Sequence, residues 1–292
     1  MKLNVNVDTI RSDLDGFDKI ARIAEETRDL WLDFAELDFS GCAFFEANMA
    51  APLYAVIARL RNELNDVSII NLPSAVETIL KKNHFLTIFD MGALRDINQT
   101  TIPFKIFKLQ AGEQFFDYLD SYMNGRGIPT MSEALTKRFR QSLFEIFQNA
   151  AIHSQSKSGI FACGQFFPYK HRLDFTIADA GIGIRDNVRR YTGKKRMSSC
   201  AAIEWALKEG HTTKTGNQPG GLGLKLIKDF IRMNKGKLQI ISRFGYYEFS
   251  ANGDSVTKME HDFPGTCVNI EINTKDTSSY CLKSELRNQD IF

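Results

Sequence analysis

Three groups of polar residues in this chain have types and spacings suited to chemistry on a phosphorylated ligand. Glu145, Asn149 and His153 recur at four-residue intervals within LFEIFQNAAIHS. On an α-helix that interval puts side chains on one face. A carboxamide oxygen suits Mg²⁺, a hard cation that prefers oxygen ligands and keeps several waters beside phosphates. A neighbouring carboxylate can orient or deprotonate a group attacking a γ-phosphate. The plain alternative for Glu145 and Asn149 is a solvated helix face. For His153 it is a place at the helix C-terminus, where the dipole favours an imidazolium.

The second group lies on strands. Leu173, Phe175 and Ile177 share one strand face, and Asp179 continues that face by the same two-residue period. Thr266 begins the matching series Val268, Ile270, Ile272. An inward carboxylate is costly unless it has partners. An ionised Asp accepts from the exocyclic amine of adenine, and a Thr hydroxyl can serve the adjacent ring nitrogen. Gly181 and Gly183 lack Cβ atoms and are expected to let a planar base approach the backbone. An Asp-Ala-Gly turn and an ordinary strand start are the competing explanations for Asp179 and Thr266.

The third group is HTTKTGNQPGGLG, residues 211 to 223. Gly220, Gly221, Leu222, Gly223 and Leu224 lead into a helix, whose first amides and dipole suit phosphate oxygens. Thr212, Thr213 and Lys214 add hydroxyls and a cation. The spacing is that of neither a Walker loop nor a Rossmann fingerprint. Residues 184 to 219 read as a long polar lid containing one short helix, about 199 to 209. Its basic run RRYTGKKR, residues 189 to 196, could touch a nucleic acid or an acidic partner, or form a solvated face.

The elements that must position these groups follow from periodicity. Strands are expected at 3 to 7, 30 to 34 and 67 to 72, with helices at 16 to 28, 49 to 64 and 73 to 82. Residues 92 to 101 break the rhythm and mark a boundary. Beyond it come a strand from 102 to 109, a helix from 113 to 123 and a long helix from 132 to 153. A hairpin of strands at 159 to 167 and 171 to 178 follows, then a helix at 222 to 234 and strands at 237 to 243 and 266 to 272.

The 292 residues suffice for two domains of ordinary size. A hydrophobic fraction of 43% and a charged fraction of 25% are those of a globular protein. The net charge of +2 gives no broad field toward nucleic acids or acidic membranes. No apolar run approaches the span of a bilayer, and no secretory h-region opens the chain. Five scattered cysteines without a Cys-x-x-Cys pair suggest reduced thiols and a cytoplasmic location.

Taken jointly, the three groups resemble the ATP-binding domain shared by gyrase, the ninety-kilodalton heat-shock chaperone, sensor histidine kinases and the mismatch-repair MutL proteins, the GHKL superfamily. Glu145-x-x-x-Asn149-x-x-x-His153 is similar to its N box, and Asp179-Ala-Gly181-Ile-Gly183 to its first glycine box. Gly220-Gly221-Leu222-Gly223-Leu224 resembles the second glycine box, and Gly265-Thr266 the last strand. The likeness covers roughly residues 101 to 275. It implies a Bergerat-type α/β sandwich, a mixed sheet with helices on one face. It also implies that Asn149 binds Mg²⁺, Asp179 binds adenine and the lid closes over the phosphates. Short anti-sigma-factor kinases and stand-alone relatives are the members it resembles most, since neither a phosphoacceptor-histidine helix pair nor a transducer domain accompanies it.

The first hundred residues resemble an anti-sigma-factor-antagonist (STAS) domain. The likeness rests on LWLDF, then Asp38-Phe39-Ser40-Gly41, a long helix, a short strand and NLPSAVETIL. That family carries a phosphorylatable serine in an Asp-Ser-Ser-Gly turn. Ser40 stands at the matching place, with Phe39 replacing the preceding residue, so Ser40 is either a candidate phosphoacceptor or a helix cap.

The expected organisation is a STAS-like α/β interaction domain at 1–100, an ATPase domain at 101–280 and a tail at 281–292. The expected function is that of a Mg-ATP-binding, partner-switching regulator that hydrolyses ATP or phosphorylates a protein, with Glu145 as the catalytic carboxylate. A non-catalytic nucleotide-gated switch and a nucleic-acid-linked ATPase are the alternatives. ATP and Mg²⁺ are the implied ligands. A protein partner would engage the N-terminal unit or the lid, and a homodimer is left open. Neither a membrane nor a nucleic acid is the expected partner.

Overall fold

The computed structural model describes residues 2–123, 125–208 and 222–286. Strands β1 (Lys2–Asn6), β2 (Phe34–Asp38) and β3 (Asp66–Ile70) form a parallel three-stranded sheet in the order β1-β2-β3. Helices α1 (Leu14–Glu26), α2 (Ala50–Asn62) and α3 (Ser74–Lys82) connect or follow them. Asp13 caps α1 by accepting from the Gly16 amide at 2.9 Å, satisfying one of the first-turn donors.

The remainder builds a second layer system. Strands β4 (Thr101–Phe107), β6 (Ile160–Phe167), β7 (Arg172–Asp179), β8 (Lys237–Ser250) and β9 (Gly253–Asn273) form a five-stranded sheet in the order β4-β6-β7-β9-β8, each neighbouring pair antiparallel. Helices α4 (Gly112–Tyr122), α5 (Glu133–His153) and α8 (Leu222–Asn234) contribute to the core on one of its faces. Helices α6 (Gly183–Thr192) and α7 (Ser199–Leu207) border that face at one end. A short parallel pair, β5 (Thr130–Met131) with β10 (Ser279–Tyr280), ties the chain's later residues to the start of α5. The protein is therefore α/β, with eight α-helices among the described residues and both parallel and antiparallel pairing.

Alternation along the central strands decides what packs where. Leu173, Phe175 and Ile177 of β7 and Ile270 and Ile272 of β9 face the helices. Phe161 and Cys163 of β6, Ala178 of β7 and Cys267 of β9 face the other way, into a core shared with α1 and α2. Helix α2 is consequently apolar almost all round rather than along one stripe: Pro52, Tyr54, Ala55 and Ala58 are buried together with Leu53, Val56 and Ile57. Lying between two sheets, it meets solvent only near its C-terminal end, at Arg59, Arg61 and Asn62.

The seam between the two layer systems is also polar. Asn48 donates toward Ser12 Oγ (3.1 Å), Thr176 Oγ1 (3.2 Å) and Asn269 Oδ1 (3.2 Å). Gln165 accepts from the Ala47 amide at 2.5 Å, and Gln239 donates to the Ser12 carbonyl at 3.0 Å. Arg172 pairs with Glu46 at 2.5 Å and lies 2.8 Å from Asp174, the latter contact being electrostatic rather than an aligned hydrogen bond. Asp174 is fully buried, and burial pushes its carboxyl up to about 8 against the pull of Arg172.

Three expectations need correction. Residues 30 to 34 were expected to be a strand, but Leu30–Asp33 form a turn in which Leu32 has φ +53° and Trp31 and Leu32 are exposed. Asn65 holds that turn through the Leu30 carbonyl and the Asp33 amide, and pairing begins only at Phe34. Residues 184 to 192 are a helix rather than open lid: Ile184 and Val188 supply an apolar i, i+4 pair hidden in the sequence by flanking charges. Residues 244 to 265 show no clear period in the sequence, yet β8 and β9 run through them as a long hairpin turning before Gly253. The β8 half of that arm is largely buried and the β9 half largely exposed, so no simple alternation marks either strand.

Because the seam supplies partners for buried polar groups of both layer systems, Asn48→Ala is expected to cost about 2–4 kcal/mol. Urea unfolding followed by both far-UV circular dichroism and tryptophan fluorescence should give one coincident transition, shifted to lower denaturant. An unshifted midpoint would remove the seam from the account of stability.

Candidate functional site

The C-terminal half of α5 forms one wall of a hollow of about 210 Å³. Ser132 begins this helix by accepting from the Leu135 amide at 3.2 Å, and Phe139, Leu143, Ile146 and Phe147 anchor it on the sheet. With that face fixed, Glu145, Asn149 and His153 are turned to the hollow, and all three line it. The floor is sheet: Ile177 of β7, Ile240 of β8 and Val268 of β9.

Asp179 and Thr266 stand at one end of this floor and are direct partners in the β7–β9 ladder. Asp179 is 2% exposed. Its Oδ1 accepts from the Gly181 amide at 2.9 Å. Burial pushes the carboxyl up to about 7, opposed by the hydrogen bonds from the Gly181 and Thr266 backbones. The Thr266 hydroxyl lies 3.1 Å from Ser242 Oγ, which donates to the Gly265 carbonyl and accepts from the Ile184 amide.

The glycines around Asp179 allow close packing. A Cβ on Gly181 would lie 2.0 Å from the Ser154 carbonyl oxygen, so the residue is small to let the β7–α6 turn press on the end of α5. Gly183 opens α6 against Ser242 and Gly265 in the same way. Gly265, at φ +95°, would set a Cβ 2.0 Å from the Asp179 carbonyl oxygen. Gly181 and Gly265 thus let backbone approach backbone on either side of Asp179, and Gly183 lets Ser242 and Arg243 close on the start of α6.

The opposite rim comes from α6 and α7. Ile184, Asn187 and Val188 project from α6, and Ile203, Trp205 and Leu207 from α7. Asn187 donates to the His153 carbonyl at 2.8 Å, and the Ile182 amide to the Ser154 carbonyl at 2.8 Å. The rim is thus pinned to the C-terminus of α5, where His153 serves both as helix end and as pocket wall. No spacing in the sequence marks Asn187 or Trp205 as site residues. Only Ser242, a hydroxyl closing the apolar run LQII, left a trace there.

The glycine-rich group divides. Thr212, Thr213, Lys214, Gly220 and Gly221 lie outside the described residues. Leu222 and Gly223 form the start of α8, and Leu224 lines the hollow, so the N-terminal end of that helix reaches the site. Ser40 is not brought to the hollow. It is exposed in the turn after β2, its amide donating to Asp38 Oδ1 at 2.9 Å, in the unit that covers the other face of the five-stranded sheet.

The donor set fits a purine nucleotide with a hard cation. A buried carboxylate beside a hydroxyl can read a ring edge, three aliphatic side chains can seat its plane, and Glu145 with Asn149 offer oxygens farther along. A helix start near Leu224 can face anionic oxygens. No family model matches the chain, and no curated protein matches it.

The Asp179 carboxyl gives a pH signature. Its folded value lies above the unfolded one, so the folded protein holds the extra proton and the unliganded protein loses stability as pH rises from roughly 4 to 7. In Asp179→Asn that loss disappears. Urea titrations at pH 5 and pH 8 should show a smaller drop for the variant than for the natural chain; equal drops would contradict the assignment.

Proposed function

We propose that this chain binds Mg-ATP in the hollow beside α5, in the manner of the GHKL superfamily, and acts as a signalling or partner-switching protein. In this reading residues 101–280 are the Bergerat-type ATP-binding unit and residues 1–100 a STAS-like unit. Asp179 accepts from the adenine amine, Thr266 supports the neighbouring ring nitrogen, and Asn149 offers the oxygen for Mg²⁺. Glu145 orients or deprotonates the attacking group, water in an ATPase or a protein hydroxyl in a kinase. The observation that carries this reading is convergence: Glu145, Asn149 and His153 from one helix line the same hollow as the ladder-paired Asp179 and Thr266.

A second reading, a nucleotide-gated switch without turnover, is favoured by one arrangement. Helix α7 packs on the β8–β9 arm, with Ile203 and Ser199 against Gly245, and the same arm packs against α1. The Asp18 carboxylate of α1 accepts from the Glu260 and His261 amides at 2.9 and 3.0 Å. A ligand that repositions α6 and α7 therefore has a contiguous route to the N-terminal unit.

Incubation with γ-labelled ATP separates the readings, with label followed into free phosphate, this chain or an added protein. Asp179→Ala is expected to abolish nucleotide binding by calorimetry, a loss of at least about 2 kcal/mol. Glu145→Ala should retain binding and lose release or transfer of phosphate. Unchanged turnover in Glu145→Ala removes that residue's role, and an absence of heat with Mg-ATP removes the whole reading.

A further inference from the structure

Residues 185–208 hold seven lysines and arginines against two acidic residues, although the whole chain carries a formal charge of +2. The rest of the chain is therefore net acidic, and the near-neutral total conceals a polarised molecule. The fold concentrates this charge further. Helix α6 turns Ile184 and Val188 inward and carries Arg189 and Arg190 in its last turn. Gly193, at φ +70°, ends the helix, and the chain passes through Lys194, Lys195 and Arg196 into α7. Arg189 folds back to donate from Nε to the Met197 carbonyl at 2.8 Å, which closes the connection into a defined turn.

Arg190, Lys194, Lys195 and Arg196 are exposed, and no ion pair to any of them is found among the described residues. Of the two acidic side chains in this stretch, Asp186, the nearer to Arg190, is bound to Arg185 at 3.0 Å. Among these cations stands Tyr191, 58% exposed, its ring 5.7 Å from that of Trp205. The helix dipole accounts for cations in the last turn of α6. It does not account for three more beyond the helix end, nor for an exposed aromatic ring among them.

We propose that the α6–α7 turn binds a single strand of nucleic acid, with backbone phosphates on Arg190, Lys194, Lys195 and Arg196 and a base stacked on Tyr191. Clustered cations alone would serve an acidic peptide equally well. An exposed ring set among them favours a ligand that alternates phosphate with a flat π face. A single strand rather than a duplex is indicated because a base must be free to leave its own stack. The proposal is independent of what the hollow binds, since none of these five residues lines it.

The test uses the full chain and a fluorescently labelled twenty-nucleotide oligothymidylate, with binding read by anisotropy. Four phosphate contacts predict a slope of log affinity against log salt of about −3, or roughly fifty-fold weaker binding at 200 mM than at 50 mM salt. The combined variant Arg190→Glu, Lys194→Glu, Lys195→Glu, Arg196→Glu should lose at least about tenfold at 50 mM salt while keeping the thermal transition and Mg-ATP affinity of the natural chain. Tyr191→Ala should weaken binding at least about fivefold without changing the salt slope. No binding at 50 mM salt, or binding indifferent to charge reversal, overturns the proposal. Poly-glutamate that competes as well as the oligonucleotide, together with an unaffected Tyr191→Ala, overturns it in favour of an acidic peptide.

Discussion

The central strands β7 and β9 must bury both of their faces, and the rest of the molecule answers that constraint. Strand residues alternate between faces, so a strand covered on one side only can be half polar. Here Leu173, Phe175, Ile177, Ile270 and Ile272 meet the helices, while Asp174, Thr176 and Asn269 point the other way and are buried as well. Polar groups in that position require partners: Asn48 of the N-terminal unit donates to Thr176 and Asn269, Glu46 pairs with the Arg172 that lies beside Asp174, and the Ser12 carbonyl accepts from Gln239. The first hundred residues therefore do more than sit beside the sheet. They complete it.

The same alternation builds the hollow. Where the helix-facing apolar series on β7 runs out, its next member is Asp179, and the matching member on β9 is Thr266. Around them the backbone is drawn tight: Gly181 on the end of α5, Gly265 on Asp179, Ser242 joined to both Ile184 and Gly265. A carboxyl so enclosed sits near neutrality instead of in the usual carboxylate range. A ligand offering a hydrogen-bond donor there would favour the ionised form and draw the proton away. Site chemistry and sheet packing are thus two faces of one arrangement.

Much of this could be read from residue spacing. The four-residue rhythm of Glu145, Asn149 and His153 and the two-residue rhythm ending at Asp179 were visible because each belongs to one regular element. Elements covered on more than one side were harder. Helix α2 reads as a single stripe in sequence, since alanines on its second face add little hydrophobic signal although they are buried. The β8–β9 arm shows no clear strand period because Tyr246, Tyr247 and Phe249 blur any alternation, even though Asn252-Gly253 is a strong turn signal. Helix α6 has no visible stripe in the sequence because Arg185, Asp186, Arg189 and Arg190 surround its short apolar pair. Ser242 and Asn187 act through contacts distant in sequence, which no local pattern encodes.

A nick in the connector around residues 91–100 would leave two fragments, each bearing one side of a mutually complementary wall. Aliphatic surface alone would let such pieces cling to almost anything. Carboxamides and charges at Glu46, Asn48, Gln165, Arg172 and Asn269 match up in only one alignment. The fragments should accordingly recognise each other in trans, a property suited to split-protein reporters.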